Sequence, residues 1–383
     1  MKIGLWARLL LCGAPLLAGC SNFWQAPSTG GGGGGTTLSS GNFYIVNKTA
    51  TASQVVGYNI TSGKLTALSG SPYPVTGQAF AVAVSPSGGF LYVSGTAGIY
   101  LYSVDSTSGA LTQKSLIDTD PVAAAMAVDP TGAWLIDASA QGYLQAIPIT
   151  STGVLDSARK AQQATMASSS VNEIAIAHNN SVVAVALGAA GTQVFPFTAT
   201  SATPLGTPFS PTIAVKTASG GAATSVAIDP LNRLLFVGET ADFPTASNSG
   251  GLRVFTLGAT TSEVSGSPYA SGGTGPNSIL VKSTGDFVYV ANWAGSSAGN
   301  VTAFQITTAG TVFSLKSLAS PIATGIQPSG LAEDSKDNFV VAVSGGGSPV
   351  LDAYTFDTTT IGKLDAALTG ATGTGPIAIV AEP

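Results

Sequence analysis

Seven times along this chain a short apolar run ends at a polar residue. These anchors are Ser85, Asp129, His178, Asp229, Lys282, Asp334 and Glu382, spaced by 44, 49, 51, 53, 52 and 48 residues. Most are followed by a turn and a second apolar run. A period near 50 built from strand-length runs indicates a repeat of small β-sheets stacked around an axis. The last anchor lies one residue before Pro383 and has no second run after it, whereas Asn42-Phe43-Tyr44-Ile45-Val46 supplies such a run at the other end. The expectation is an all-β, seven-bladed β-propeller with four-stranded antiparallel blades, its ring closed by N-terminal strands pairing with the C-terminal strand.

The turns carry their own chemistry. Ser85-Pro86-Ser87-Gly88, Asp129-Pro130-Thr131-Gly132 and Asp229-Pro230-Leu231-Asn232 each combine a side-chain acceptor, a proline that presets φ, and a residue tolerant of positive φ. Second runs read Phe90-Leu91-Tyr92-Val93, Leu234-Leu235-Phe236-Val237 and Phe287-Val288-Tyr289-Val290. No long segment has a 3.6-residue period, so helix is expected to be nearly absent.

Charged residues are only 9% of the chain, and 48 of the 383 residues are glycine. Blades packed face to face bury both sides of their middle strands, which accounts for the low charge. Beyond the N-terminus no apolar run approaches the roughly 18 residues of a membrane-spanning helix. The net charge of −5 offers no basic stripe, so nucleic acid is excluded as a partner.

Lys2 and Arg8 precede the apolar run Leu9–Leu17, and Leu17-Ala18-Gly19-Cys20 follows. This is the pattern of a secretory signal. The Leu-Ala-Gly-Cys run resembles the lipobox of bacterial lipoproteins. The resemblance implies cleavage before Cys20, lipidation of Cys20 and, with Ser21 next, an outer-membrane address. Residues 1–19 are then a signal peptide, 20–41 a tether containing Gly30–Gly35, and 42–383 the propeller. Cys12 leaves with the signal and Cys20 takes the lipid, so no disulfide or catalytic thiol remains. The expected product is a monomer held to the envelope membrane by its lipid, facing the periplasm or the outside.

Val288-Tyr289-Val290-Ala291-Asn292 and Leu91-Tyr92-Val93-Ser94, in this repeat frame, resemble the lactonase-type seven-bladed propellers, the group of 6-phosphogluconolactonase and the Tyr-Val-x-Asn repeat proteins. The likeness covers residues 42–383. It implies His and Arg where the first strands of neighbouring blades begin, and Glu and Arg just after the second strands of later blades. This chain departs from that pattern. Five residues before the anchors stand Phe80, Ala124, Glu173, Thr224, Asn277, Ser329 and Ile377. Glu173 takes the place of the expected His and Thr224 that of an Arg. Thr240 aligns with the expected Glu, leaving Glu239 one residue short, and Trp293 aligns with an Arg.

Lactone opening needs a base for water and a donor or cation for the oxyanion. Glu173 and Glu239 are the candidate catalytic carboxylates. Thr224, Arg253, Asn277, Asn292, Trp293 and Ser329 are candidate ligand contacts. Arg253 could equally pair with Glu239, and Glu333 is expected in a local salt bridge. His178, at an anchor, reads as a turn residue. No metal site is assigned, although Glu173 and Glu239 with Asn277 and Asn292 could hold a divalent ion; no cofactor is expected. The b–c loops of the fifth and sixth blades, Thr240–Gly250 with Phe243 and Trp293–Gly299, form a candidate binding rim. The first functional reading is a small-molecule or envelope-protein binder without the family's catalysis. The alternatives are a lactone hydrolase with a rearranged site and a structural or adhesion component.

Overall fold

A computed structural model describes residues 38–49, 52–118, 123–156, 162–216, 220–242, 250–258, 261–318, 321–373 and 375–383. Cys20, the signal, most of the tether and Phe243 lie outside them. Among the described residues there is no helix.

The strands form seven repeats of one antiparallel meander, here called blades and lettered a to d from the axis outward. Blade 1 takes strand a from the C-terminus (Pro376–Ala381) and strands b and c from the N-terminus (Asn42–Lys48 and Ser53–Thr61). Phe43, Tyr44, Ile45 and Val46 pair with Ala381, Val380, Ile379 and Ala378. Strands a and b of the other blades are Ala79–Val84 and Phe90–Gly95, Ala123–Val128 and Trp134–Ser139, Glu173–Ile176 and Val182–Ala186, Ala223–Ile228 and Leu234–Glu239, Gly275–Val281 and Phe287–Ala294, and Ile322–Glu333 and Phe339–Gly346. Each strand a touches the strands a of the blades on either side, and Pro376–Ala381 touches both Ala79–Val84 and Ile322–Glu333, so the circuit closes.

The outer strand departs from the four-strand plan in several blades; in blades 1 and 5 it is split into two short pieces, Lys64–Ala67 with Tyr73–Val75 and Ser262–Glu263 with Tyr269–Ala270. In blade 4 the outer strand is reduced to isolated bridges of Phe197 with Leu205 and Thr192 with Ile213. Between blades 6 and 7 the start of Ile322–Glu333 pairs with strand c of blade 6, and its remainder becomes strand a of blade 7. Outer strands face water on one side and carry the weakest apolar pattern, so their pairing is the least constrained by burial.

The anchors hold the a–b turns. Asp129 Oδ1 accepts the Trp134 amide at 2.6 Å, Asp229 Oδ1 that of Leu234 at 2.8 Å, and Asp334 Oδ2 that of Phe339 at 2.7 Å. All three carboxylates are buried. Lys282, the anchor of blade 6, reaches Glu333 of blade 7 at 3.0 Å and also pairs with Asp337. Burial pushes the Glu333 carboxyl up, against the pull of Lys282.

The tyrosine of the repeat motif has a specific task. Tyr44, Tyr92 and Tyr289 on strand b are fully buried and donate to the carbonyls of Gly109, Gly153 and Gly362 at 2.8, 2.8 and 2.9 Å. Each acceptor lies in the c–d turn of the following blade. Gly153 and Gly362 have φ of +79° and +80°, and a methyl group on either would meet the ring of Phe90 or Phe287, which opens strand b of the preceding blade. Positive φ and the aromatic contact both demand glycine there. Apolar clusters shared between neighbouring blades, such as Phe236, Val254, Val288 and Val290, complete the interfaces.

Tyr289→Phe removes one buried blade-to-blade bond and strands the Gly362 carbonyl. We expect a loss of about 1–3 kcal/mol in urea denaturation, with the fold retained. A variant as stable as the parent would show that this bond does not contribute to blade packing.

Candidate ligand site at the strand-a end of the ring

Strand a begins, and strand b ends, at one face of the ring. There the a–b ladder slips by one residue in six blades, leaving Phe80, Ala124, Thr224, Asn277, Ser329 and Ile377 bulged. These are six of the seven positions singled out from the sequence. Blade 4 corrects the seventh. Its turn closes from Ala177, whose amide donates to the Val182 carbonyl at 2.9 Å, as that of Asp129 does to Trp134. His178 is therefore one residue past the anchor, exposed on the opposite face. The equivalent of the bulged residues is Asn172, not Glu173. Alanine at the true anchor leaves the polar signal to its neighbour, which displaced the alignment by one.

Four consecutive bulge-level residues reach to the next blade. Asn172 Nδ2 donates to Ala223 O at 2.8 Å, Thr224 Oγ1 to Pro276 O at 2.5 Å, Asn277 Nδ2 to Pro328 O at 3.0 Å, and Ser329 Oγ to Pro376 O at 2.8 Å. The last three acceptors, and Ala223 likewise, stand just before the next blade's bulge. Thr224, Asn277 and Ser329, expected as ligand contacts, thus stitch strand a to strand a. The amide oxygens of the exposed Asn172 and Asn277 keep their accepting capacity for other partners. The other three bulged residues, Ile377, Phe80 and Ala124, are apolar and adjacent around the ring, and Lys48 Nζ lies 4.6 Å from the Phe80 ring centroid. The mouth is thus polar over one arc and apolar over the other.

Glu173 occupies the register of Ala81, Ala125, Ser225, Ser278, Gly330 and Ala378 in the other blades. Its Oε2 accepts the Val226 amide of blade 5 at 3.0 Å, as Ser278 Oγ accepts that of Leu331 at 3.2 Å. Burial pushes its carboxyl up to about 8, with the Val226 amide pulling the other way. At neutral pH it holds its proton.

Glu239 ends strand b of blade 5 in the register of Asn292 in blade 6 and Asn47 in blade 1. All three are buried and tie down the connection arriving at their own strand a. Asn292 Nδ2 donates to Ser271 O at 2.8 Å, Asn47 Nδ2 to Thr372 O, and Glu239 Oε2 accepts the Lys216 amide at 2.7 Å. Arg253, on strand c, donates to Glu239 Oε1 at 2.9 Å, to Ala214 O at 2.7 Å, and in a two-pronged contact to Glu263 at 3.0 and 2.8 Å. Four of its five N–H groups are thus engaged by blade 5 and the connection that leads into it. Glu173 and Glu239, the expected carboxylate pair, bond to different partners and not to each other. Among the described residues no group of three or more His, Cys, Asp or Glu side chains is placed to hold a metal ion.

Trp293 stands at the rim with 43% of its surface exposed, its indole N–H donating to Gly295 O at 2.5 Å. Sequence reasoning missed Asn172, which the alanine anchor concealed. It also missed Asp352 on strand c of blade 7. That buried carboxyl is pushed up to about 6 by burial, with the Gly325 amide acting against the shift.

The Glu173 shift fixes a pH dependence. Its native pKa of about 8 exceeds the ordinary 4.5, so native protein keeps a proton that unfolded chain releases. The stability this carries is complete below the ordinary value and is lost as pH rises through the native one. In scanning calorimetry Glu173→Gln should therefore melt a few degrees above the parent at alkaline pH, the two curves converging toward acid. Parallel curves would mean that the carboxyl titrates normally.

No family model matches the chain, and no curated protein matches it. Solved structures do. The periplasmic gluconolactonase of Pseudomonas aeruginosa superposes with a TM-score of 0.68 at 16% identity, covering 90% of this chain and 100% of its own. A putative 6-phosphogluconolactonase of Bacteroides uniformis gives 0.67 at 15%, covering 89% and 98%. A second, from Bacteroides fragilis, gives 0.66 at 14%, covering 91% and 99%. At these identities the likeness shows the fold alone: a β-propeller that superposes on these structures over nearly all of their length.

Proposed function

We propose that this chain is a lactonase-like propeller of the cell envelope that holds a small ligand at the strand-a face without the catalytic residues the resemblance implies. One observation carries the reading: the polar groups nearest the required chemistry are already committed to the scaffold. Thr224 is bonded to Pro276 O, Arg253 is bonded to Glu239, Glu263 and Ala214 O, and Glu239 also bonds the Lys216 amide. What stays available suits binding: the exposed Trp293, the Asn172 and Asn277 oxygens, and Phe80 beneath Lys48. Lipidation at Cys20 would tether the domain to the outer membrane, and the periplasmic address in the name of the Pseudomonas neighbour agrees with an envelope location.

A second reading, lactone hydrolysis, draws on Glu173. A carboxyl with a pKa of about 8 is protonated at neutral pH, so it would serve as a proton donor to the departing alkoxide rather than as the base.

One experiment separates the two. Purified domain is offered hexose δ-lactones and acyl lactones in a pH-stat and, in parallel, in a calorimeter. The binding reading expects saturable heat without turnover, and affinity about tenfold weaker in Trp293→Ala and Asn277→Ala. Turnover abolished by Glu173→Gln would instead establish the hydrolase.

A further inference from the structure

In blade 5 a third carboxyl joins Glu239 and Arg253. Asp242 lies three residues past the end of strand b, with its side chain over Gly251 at the start of strand c. A methyl group on Gly251 would sit 2.6 Å from Asp242 Cβ. Both Asp242 oxygens are withdrawn from solvent, and neither accepts a hydrogen bond from a protein donor. The residue before it, Ala241, has φ of +62°, a left-handed conformation that alanine rarely adopts. Something must hold that backbone in place.

The charged groups around Asp242 are few. Glu239 comes from strand b, Arg253 from strand c and Glu263 from the outer strand, and Lys216 on the incoming connection lies 3.8 Å from Glu263. Arg253 and Lys216 offset Glu239 and Glu263, so an ionised Asp242 would add an uncompensated negative charge. Arg253 makes four hydrogen bonds, to Glu239, Glu263 and Ala214 O, and none to Asp242. As a neutral acid, by contrast, Asp242 can donate its proton to Glu239, and the cluster is balanced. Burial, then the neighbouring Glu239, pushes its carboxyl up to about 7, with Arg253 opposing.

We propose that Asp242 is a proton-dependent fastener: protonated, it hydrogen-bonds Glu239 and holds the start of the b–c connection over strand c, with Ala241 in its strained conformation. When the proton leaves to solvent no covalent bond but that O–H is broken; two carboxylates then face each other, and Asp242 withdraws from Gly251. The fastened state is complete in acid and is lost as pH rises through neutrality. Because Thr240, Ala241 and Asp242 follow the end of strand b, at the face where strand a begins, their position there follows the proton. The proposal is independent of any ligand.

Hydrogen exchange of the full chain tests it at the Thr240 amide, which donates to Ala222 O at 2.9 Å when the connection is seated. After correction for intrinsic rates, protection at Thr240 should fall by about tenfold per pH unit from the ordinary carboxyl range up to the midpoint near neutrality, and level off above it. Asp242→Asn, which donates to Glu239 but cannot ionise, should stay protected to pH ~8.5. Asp242→Ala should be unprotected throughout. Wild-type protection that does not change with pH, an Asn variant that loses it as wild type does, or an Ala variant that keeps it would each overturn the proposal.

Discussion

Everything in this molecule depends on seven strands meeting edge to edge around an axis without a covalent bond to close them. The closure is the ladder from Phe43–Val46 to Ala378–Ala381, which turns two chain ends into one blade. Strands that only touch at an axis have their backbone ladders directed outward, so their mutual contact must be made by other groups. Side chains at the bulges supply it: Asn172, Thr224, Asn277 and Ser329 each bond the carbonyl that precedes the next bulge. A bulge turns its extra residue out of the pleat, and here the turned residue becomes a link between sheets.

The same logic explains the motif by which the fold is recognised. In Tyr289-Val290-Ala291-Asn292 the tyrosine is buried and spends its hydroxyl on the next blade's turn, and the asparagine spends its amide on the incoming connection. The valine and alanine between them fill the apolar interfaces. The tyrosine hydroxyl and the asparagine N–H groups therefore satisfy backbone carbonyls that burial would otherwise leave unpaired, while Asn292 Oδ1 is buried without a donor. The motif specifies a blade.

How far the sequence could be read follows from this. Turn anchors and strand runs were legible because burial and φ constrain the residue types, as Asp129 and Asp229 illustrate. The outer strand of blade 4 was not legible, because little burial enforces it. Blade 4 also misled by one residue: with Ala177 at the anchor, His178 offered the only polar mark, and Glu173 was placed in the bulge that Asn172 holds. A one-residue slip moves a side chain to the other face. Hence Glu173, expected at the mouth as a base, instead reaches across to the Val226 amide. Arg253 shows the converse. Its pairing with Glu239 was foreseen as one of two uses, but its contacts with Glu263 and Ala214 O involve an outer strand and a connection whose positions no spacing reveals.

Buried charge in this fold is costly, and with 9% charged residues each instance must be accounted for. Blade 5 concentrates it where its neighbours do not. The register of Glu239 holds the neutral Asn292 in blade 6 and Ser344 in blade 7. The strand-c register of Arg253 holds Thr302 and Asp352. Blades 6 and 7 thus hold one interior charge or none at these two positions. The neutral pair Asn292 and Thr302 shows that a stable blade does not require the ion pair. Retaining Glu239, Arg253 and Glu263 in one blade, beside a protonated Asp242, places a titrating group where an amide would satisfy the scaffold. That use of an acid where an amide would serve, just past the end of strand b in blade 5, is the point at which this chain exceeds what its architecture demands.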